Sequence, residues 1–517
     1  MPRQIIANSA AVATGHPLGA AAGLEILRDG GNAIDAAVAT MLAMCVVVPG
    51  SVGLGGYGGS AVIYTARTGR TVAVDFDSRA PLAYRDGLVT ADPESNYYGA
   101  RSVTVPAVVA GLNLILREYG SMSWQTASQP AIRLAEQGFA FDAEHERHFA
   151  RCASKFDEQS TSSLFERGTA PNIGGTWRQP NLAQLLRQLA DDGPGSFYNG
   201  PIADSIVAYI RDRGGALTTD DFRSYRPRID VPVQANCREF TLHTPPPPSG
   251  GMTSLAIVQT IERLSRDVTE PWTGTYFHLL AEAMKLCWQE RHSMLGDPEF
   301  VDVPLDRLVS EEAAETRAQK LRNDNIFRGQ QTADQSPHTA NVISIDAEGN
   351  LISLTATQGW MYGSHLVVGG LGLVLNHGMS RFDYSPGHPN APAAGKRMQH
   401  NMAPMIALYN GRPAFAYGLP GGPKIVSVTA QLALNTIAFG ATPEAAITAP
   451  RLHTDGGEPL LVSQDMSASV IADLEKLGHS VRRENDMGGP VNVLAVDPQT
   501  GQIDIASGET IGAVAGI

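Results

Sequence analysis

The sequence predicts an α+β fold, and three observations predict it. Helical periodicity dominates from about residue 107 to 317, as in Pro130-Ala131-Ile132-Arg133-Leu134-Ala135-Glu136. Short strand-like segments separated by turn residues dominate from Asn341 onward. Between the two, residues 323–338 are polar and aperiodic, which predicts a mobile loop. Helices and strands gathered in different parts of a chain indicate α+β rather than alternating α/β architecture. The 517 residues, 43% of them hydrophobic and 18% charged, suffice for a large core.

The elements follow in order. Residues 17–29 suit a helix with Pro17 in its first turn, stopped by Gly30-Gly31. Asn32 then caps a second helix over 33–47, ended by Pro49-Gly50. The cluster Gly53-Leu54-Gly55-Gly56-Tyr57-Gly58-Gly59 contains a GxGxxG match, but it follows a helix and precedes the strand-like Ser60–Tyr64. A dinucleotide site needs the reverse order, so close backbone packing is expected instead. Thr71–Phe76 reads as a partner strand. Pro245–Gly251 reads as a rigid turn into an apolar helix at 252–261. Asn341–Asp346 and Leu351–Thr357, joined by Glu348-Gly349-Asn350, predict a β-hairpin. Further strands are expected near 366–368, 373–375, 405–408 and 414–417.

Composition excludes several function classes. A formal net charge of −13 argues against nucleic acid as a partner. Cys45, Cys152, Cys237 and Cys287 are far apart and form no CxxC pair, so neither a zinc site nor a disulfide scaffold is expected. The 13 histidines contain no HExxH pair, so no metal and no organic cofactor are expected. The apolar run from Ala36 to Val48 falls short of the roughly 20 residues a membrane span needs. Met1–Asn8 lacks the apolar core of a signal peptide, which predicts a cytoplasmic protein.

The junction His338-Thr339 divides loop from strand. Were that bond cut, Thr339 would carry both a hydroxyl and a free α-amine, whose pKa of about 7.7–8.0 makes it a usable base at neutral pH. A threonine at the start of a strand is, on local grounds, most often strand filler.

The wider pattern changes that reading. The chain resembles the gamma-glutamyltranspeptidase family through many blocks in the family's order. They include His16-Pro17-Leu18, Gly30-Gly31-Asn32-Ala33-Ile34-Asp35-Ala36-Ala37, Pro246-Pro247-Pro248-Ser249-Gly250-Gly251, His278–Lys285, Leu295-Gly296-Asp297-Pro298, Gly395-Lys396-Arg397, Pro420-Gly421-Gly422 and Ala449-Pro450-Arg451. The resemblance implies a four-layer αββα sandwich of the N-terminal-nucleophile type, made as one proenzyme. Self-cleavage at His338-Thr339 would leave a large fragment, 1–338, and a small one, 339–517, as each other's partners in one body. It implies Thr339 as nucleophile, Thr357 as its supporting threonine, and Gly421 and Gly422 as oxyanion donors. The family's two residues after the nucleophile are replaced here by Ala340 and Asn341.

The departures fall where the family grips the amino-acid end of a glutamyl group. Asp77 stands near the place of the carboxylate-binding arginine, with Arg79 close by in sequence. Arg381 stands where an acidic residue binds the substrate ammonium. His400-Asn401 replace a serine pair, and Gly359 replaces an asparagine. A guanidinium repels an ammonium and holds a carboxylate in a bidentate fork. The expected function is therefore hydrolysis of a small amide with an acidic acyl group, oxamate-like or glutaryl-like. The alternatives are a gamma-glutamyl hydrolase or transferase with a rebuilt pocket, and an uncleaved, non-catalytic binding homologue. Self-association into a homo-oligomer is left open.

Overall fold

Two side-chain caps set the first helices. His16 Nδ1 accepts from the Leu18 N–H (3.2 Å) ahead of the helix Pro17–Arg28. Asn32 Oδ1 accepts from Ile34 and Asp35 N–H (both 2.9 Å), and the Asp35 carboxylate returns a bond to Asn32 N–H, a reciprocal cap for the helix Ala33–Val47. That helix is buried on every face, as its unbroken apolar sequence requires. The computed structural model describes residues 3–85, 97–264, 270–323, 338–508 and 512–517. The aperiodic segment expected over 323–338 lies, apart from its two end residues, outside these.

The predicted hairpin forms from the strands His338–Ile345 and Leu351–Gly359. It lies at the middle of a 7-stranded antiparallel sheet. In spatial order the strands are Ala513–Gly516, Ala11–Thr14, His338–Ile345, Leu351–Gly359, Gly58–Thr65, Arg70–Asp75 and Arg228–Asp230. A second 7-stranded antiparallel sheet runs Arg3–Ala7, Ile503–Ser507, Asn492–Val496, Arg412–Gly418, Met405–Tyr409, Phe240–Thr244 and Val233–Cys237. Both sheets draw strands from either side of residue 338.

Alternation along the strands divides the core into layers. Val342, Ile352 and Leu354 pack into a cluster with Ala37, Met41 and Val109 on the helices beside the first sheet. Ile343, Ile345 and Leu351 point the other way, into a cluster shared with Ile406, Leu408, Leu494 and Ile505 of the second sheet. Beyond that sheet, Leu242, Met405 and Val493 pack against Leu255, Met284 and Val428 on helices. Helix, sheet, sheet, helix is the αββα sandwich. The strand-rich character of the second part is a matter of degree, since it also supplies the helices Pro423–Ala433, Pro443–Thr448 and Ala468–Lys476. All four cysteines are buried and unbonded to one another.

Candidate active site

Thr339 sits where the hairpin register breaks. His338 pairs with Gly359 and Ala340 with Ala356, so the partner strand carries one extra residue opposite Thr339. Such a bulge re-aims side chains at the edge of a site. Here Thr339 Oγ1 donates to Thr357 Oγ1 (3.2 Å). Thr357 Oγ1 also accepts from the Gly359 N–H (2.8 Å) and is hydrogen-bonded to the Tyr57 hydroxyl. Burial holds that phenol up at about 12. Thr339 and Thr357 are both buried, and both line a cleft of about 350 Å³.

The glycine cluster brings Tyr57 there. A Cβ on Gly56 would lie 2.6 Å from the Thr357 carbonyl, and one on Gly58 2.2 Å from the Phe76 carbonyl. The cluster packs backbone against backbone, with no room for a nucleotide.

Gly421 and Gly422 lead into the helix Pro423–Ala433, and Gly422 lines the cleft. Both have positive φ (133° and 57°), and a Cβ on Gly421 would lie 2.6 Å from Gly488 Cα. Neither N–H donates to a protein acceptor among the described residues. Free N–H groups at the positive end of a helix favour a developing anion.

Arg381, in the 3₁₀ turn Gly378–Arg381, lines the same cleft and is half-buried. Its Nε is buried without a partner, and no carboxylate pairs with it among the described residues. Asn401 and Gly359 line the same cleft. So do His377 and Trp360, which the sequence reading missed. The His377 Nε2 accepts from the Trp360 N–H, and its Nδ1 lies 3.2 Å from the Tyr97 carbonyl. Burial first, and then the charge of Arg381, pull this imidazole down to about 3, so it is neutral. Tyr57, His377 and Trp360 are each sequence neighbours of residues already singled out. A polar aromatic among the glycines at 53–59, and a histidine four residues before Arg381, were the signals.

Three expected substrate contacts lie elsewhere. The Asp77 carboxylate is buried against His400 Nε2, and neither residue is among those lining the cleft. Burial raises the Asp77 pKa to about 6, with His400 opposing. Arg79 pairs by its backbone with Arg397 and by its side chain with Glu299 (3.7 Å). It belongs to an ion network in which Arg397 meets Asp75 (3.4 Å), Asp297 (3.5 Å) and Glu299 (3.0 Å). With its side chain on Glu299, Arg79 is not among the residues lining the cleft, where a carboxylate-binding arginine was expected.

The gamma-glutamyltranspeptidase profile matches residues 19–513. The chain belongs to the gamma-glutamyltranspeptidase family. It is 33% identical to the Acylase ACY 1 proenzyme of Pseudomonas sp. (strain SE83), over 94% of this chain and 90% of that one. It is 31% identical to the glutathione hydrolase proenzyme of Escherichia coli (strain K12), over 91% and 86%. The crystal structure of cephalosporin acylase from Bacillus halodurans superposes with a TM-score of 0.88 at 29% identity, covering 100% of this chain and 97% of that one. The protein is thus an amidohydrolase or acyltransferase of the N-terminal-nucleophile type. Among the described residues no helix is long and apolar enough to cross a membrane.

Proposed function

We propose that this enzyme is a self-processing amidohydrolase that cleaves an amide of a small acidic acyl group, oxamate-like or glutaryl-like, through a Thr339 acyl-enzyme. The observation that carries the reading is Arg381, a guanidinium with no carboxylate partner among the described residues, on the wall of the cleft that holds Thr339. Among the described residues no carboxylate lines the cleft. Relatives named as acylase proenzymes support the same direction. A gamma-glutamyl substrate would bring its ammonium against Arg381, which disfavours the glutathione hydrolase reading. The hydrogen-bonded Thr339–Thr357 pair disfavours a non-catalytic binding protein.

Processing comes first in this reading. Thr339 Oγ1 attacks the His338 carbonyl, the peptide shifts to an ester, and water opens it. Fragments 1–338 and 339–517 remain together. The freed amine of Thr339 then takes the proton from its own Oγ1 as the oxygen attacks the substrate amide. Gly421 and Gly422 hold the oxyanion, a contribution of roughly 2.7–4 kcal/mol for one such donor elsewhere. The ammonium returns the proton to the leaving amine, and water hydrolyses the ester by the same route. No step calls for a metal or an organic cofactor.

Two variants test this. Thr339→Ala should leave one full-length chain on a denaturing gel; cleavage of that variant at the same bond would refute the nucleophile. Arg381→Asp should process normally, since cleavage needs Thr339 and not the substrate pocket. Its kcat/KM on oxamate or glutarylamides should fall at least about tenfold, from the roughly 1.5–3 kcal/mol of a charge-assisted hydrogen bond. Turnover of acidic amides equal to the parent's would make Arg381 structural.

A further inference from the structure

Behind the cleft wall lies a second cation with no counterion among the described residues. Arg291, on the helix Gly274–Met294, is 2% exposed. Its Nη1 donates to the Ser249 carbonyl (3.3 Å), and its Nη2 to the His400 carbonyl (2.7 Å) and to Asn401 Oδ1 (3.1 Å). Its Nε is buried without a partner, and no carboxylate pairs with it among the described residues. Burial, and then the charge of Arg381, pull it down to about 9, so it remains charged at neutral pH. Buried ions are paired as a rule, because carbonyl dipoles replace only part of their hydration. Here, among the described residues, the pairing is missing on two arginines close enough to oppose each other.

Asn401 stands between Arg291 and the cleft. Its Oδ1 is taken by Arg291, so its Nδ2 turns the other way, and Asn401 lines the cleft. The segment is held in place from behind: Gly250 N–H donates to the Met402 carbonyl (3.0 Å), and a Cβ on Gly250 would lie 2.5 Å from the Asn401 carbonyl. The amide has one orientation because the guanidinium accepts nothing and the backbone beside it is fixed.

We propose that Arg291 is a positioning residue that determines specificity. It fixes Asn401 as a hydrogen-bond donor toward the acyl group and leaves its own charge to be balanced by the substrate's carboxylate. This rests on the acidic-amide reading above and deepens it: the carboxylate is held by Arg381 and the Asn401 amide together, with Arg291 behind them.

Asn401→Asp tests the idea at nearly constant shape. It gives Arg291 a carboxylate, so the ligand-free melting temperature should equal or exceed the parent's. The same change places a negative charge on the cleft wall. KM for acidic amides should therefore rise at least about tenfold, with a smaller effect on kcat and on neutral amides. Glutarate, used as a bare anion, should raise the melting temperature of the parent and not of the variant. Asn401→Ser, which removes the amide without adding charge, should weaken the glutarate response by less. A variant that keeps the parent's glutarate response, or that loses acidic and neutral amides equally, overturns the proposal. A preference for acidic amides that survives Asn401→Asp but not Arg381→Asp overturns it alone; a parent with no such preference overturns the acidic-amide reading as well.

Discussion

Two constraints meet at Gly359. Its φ of 97° lies in the region that L side chains rarely adopt, and a Cβ there would come 2.3 Å from His377 Nε2. The imidazole fills the space a side chain at 359 would need, and its contact with the Trp360 N–H steadies the turn that follows Thr357. Gly359→Ala should therefore destabilise the protein by about 2 kcal/mol or more, measured by denaturant unfolding. Adding His377→Ala should recover only the steric part, because the backbone strain remains. Arg381, Asn401 and Gly422 were reached in sequence through motif blocks, whereas His377 and Tyr57 were not. Their partners lie far off in the chain, as with Tyr97 and His377, and only tertiary packing joins them.

At the scale of elements, the chain is legible where local chemistry decides. Asn32 was readable as a helix cap because the capping residue acts within one turn. The role of Asp35 was not, because most of its bonds are distant. Fully buried, it accepts from Asn32 N–H (2.8 Å), Ser121 N–H (2.9 Å), Ser121 Oγ (2.6 Å) and Met122 N–H (3.0 Å). Asp35→Ala should lower the unfolding free energy by more than about 2 kcal/mol, since it strands several buried donors. A loss below about 1 kcal/mol in urea would show that water replaces the carboxylate. The hairpin Val233–Cys237 and Phe240–Thr244 escaped notice for a related reason: its turn is Arg238-Glu239, with Arg238 at φ 50° and neither Asn nor Gly to signal it. The bulge at Thr339 is likewise a matter of pairing, invisible in either strand alone.

Across the whole molecule, buried histidines set the response to acid. His16, His243 and His365 are held down to about 4, and His377 and His453 to about 3, each chiefly by burial. Their folded pKa values lie below the unfolded value of 6.5, so the unfolded chain binds more protons as pH falls. Stability is fully present above about pH 6.5 and is lost toward pH 4, by up to about 1.4 kcal/mol per pH unit for each histidine. Asp77, raised to about 6, opposes this with a single proton. The melting temperature should fall steeply between pH 6.5 and 4; a flat profile there would contradict the assignment.

The interleaving of the two sheets carries a consequence for the life of the enzyme. Within the strand His338–Ile345, residues 342–345 of the proposed small fragment lie against Ala11–Thr14 of the proposed large one, and both sheets mix strands of the two. On the proposed cleavage, pairings formed within one molecule become contacts between two. The order of events is then fixed: the sheets assemble while the chain is continuous, and the cut comes afterward. A mature enzyme that unfolds faces a bimolecular search that its precursor never made. Its persistence is a matter of slow unfolding rather than of equilibrium, and maturation runs in one direction only.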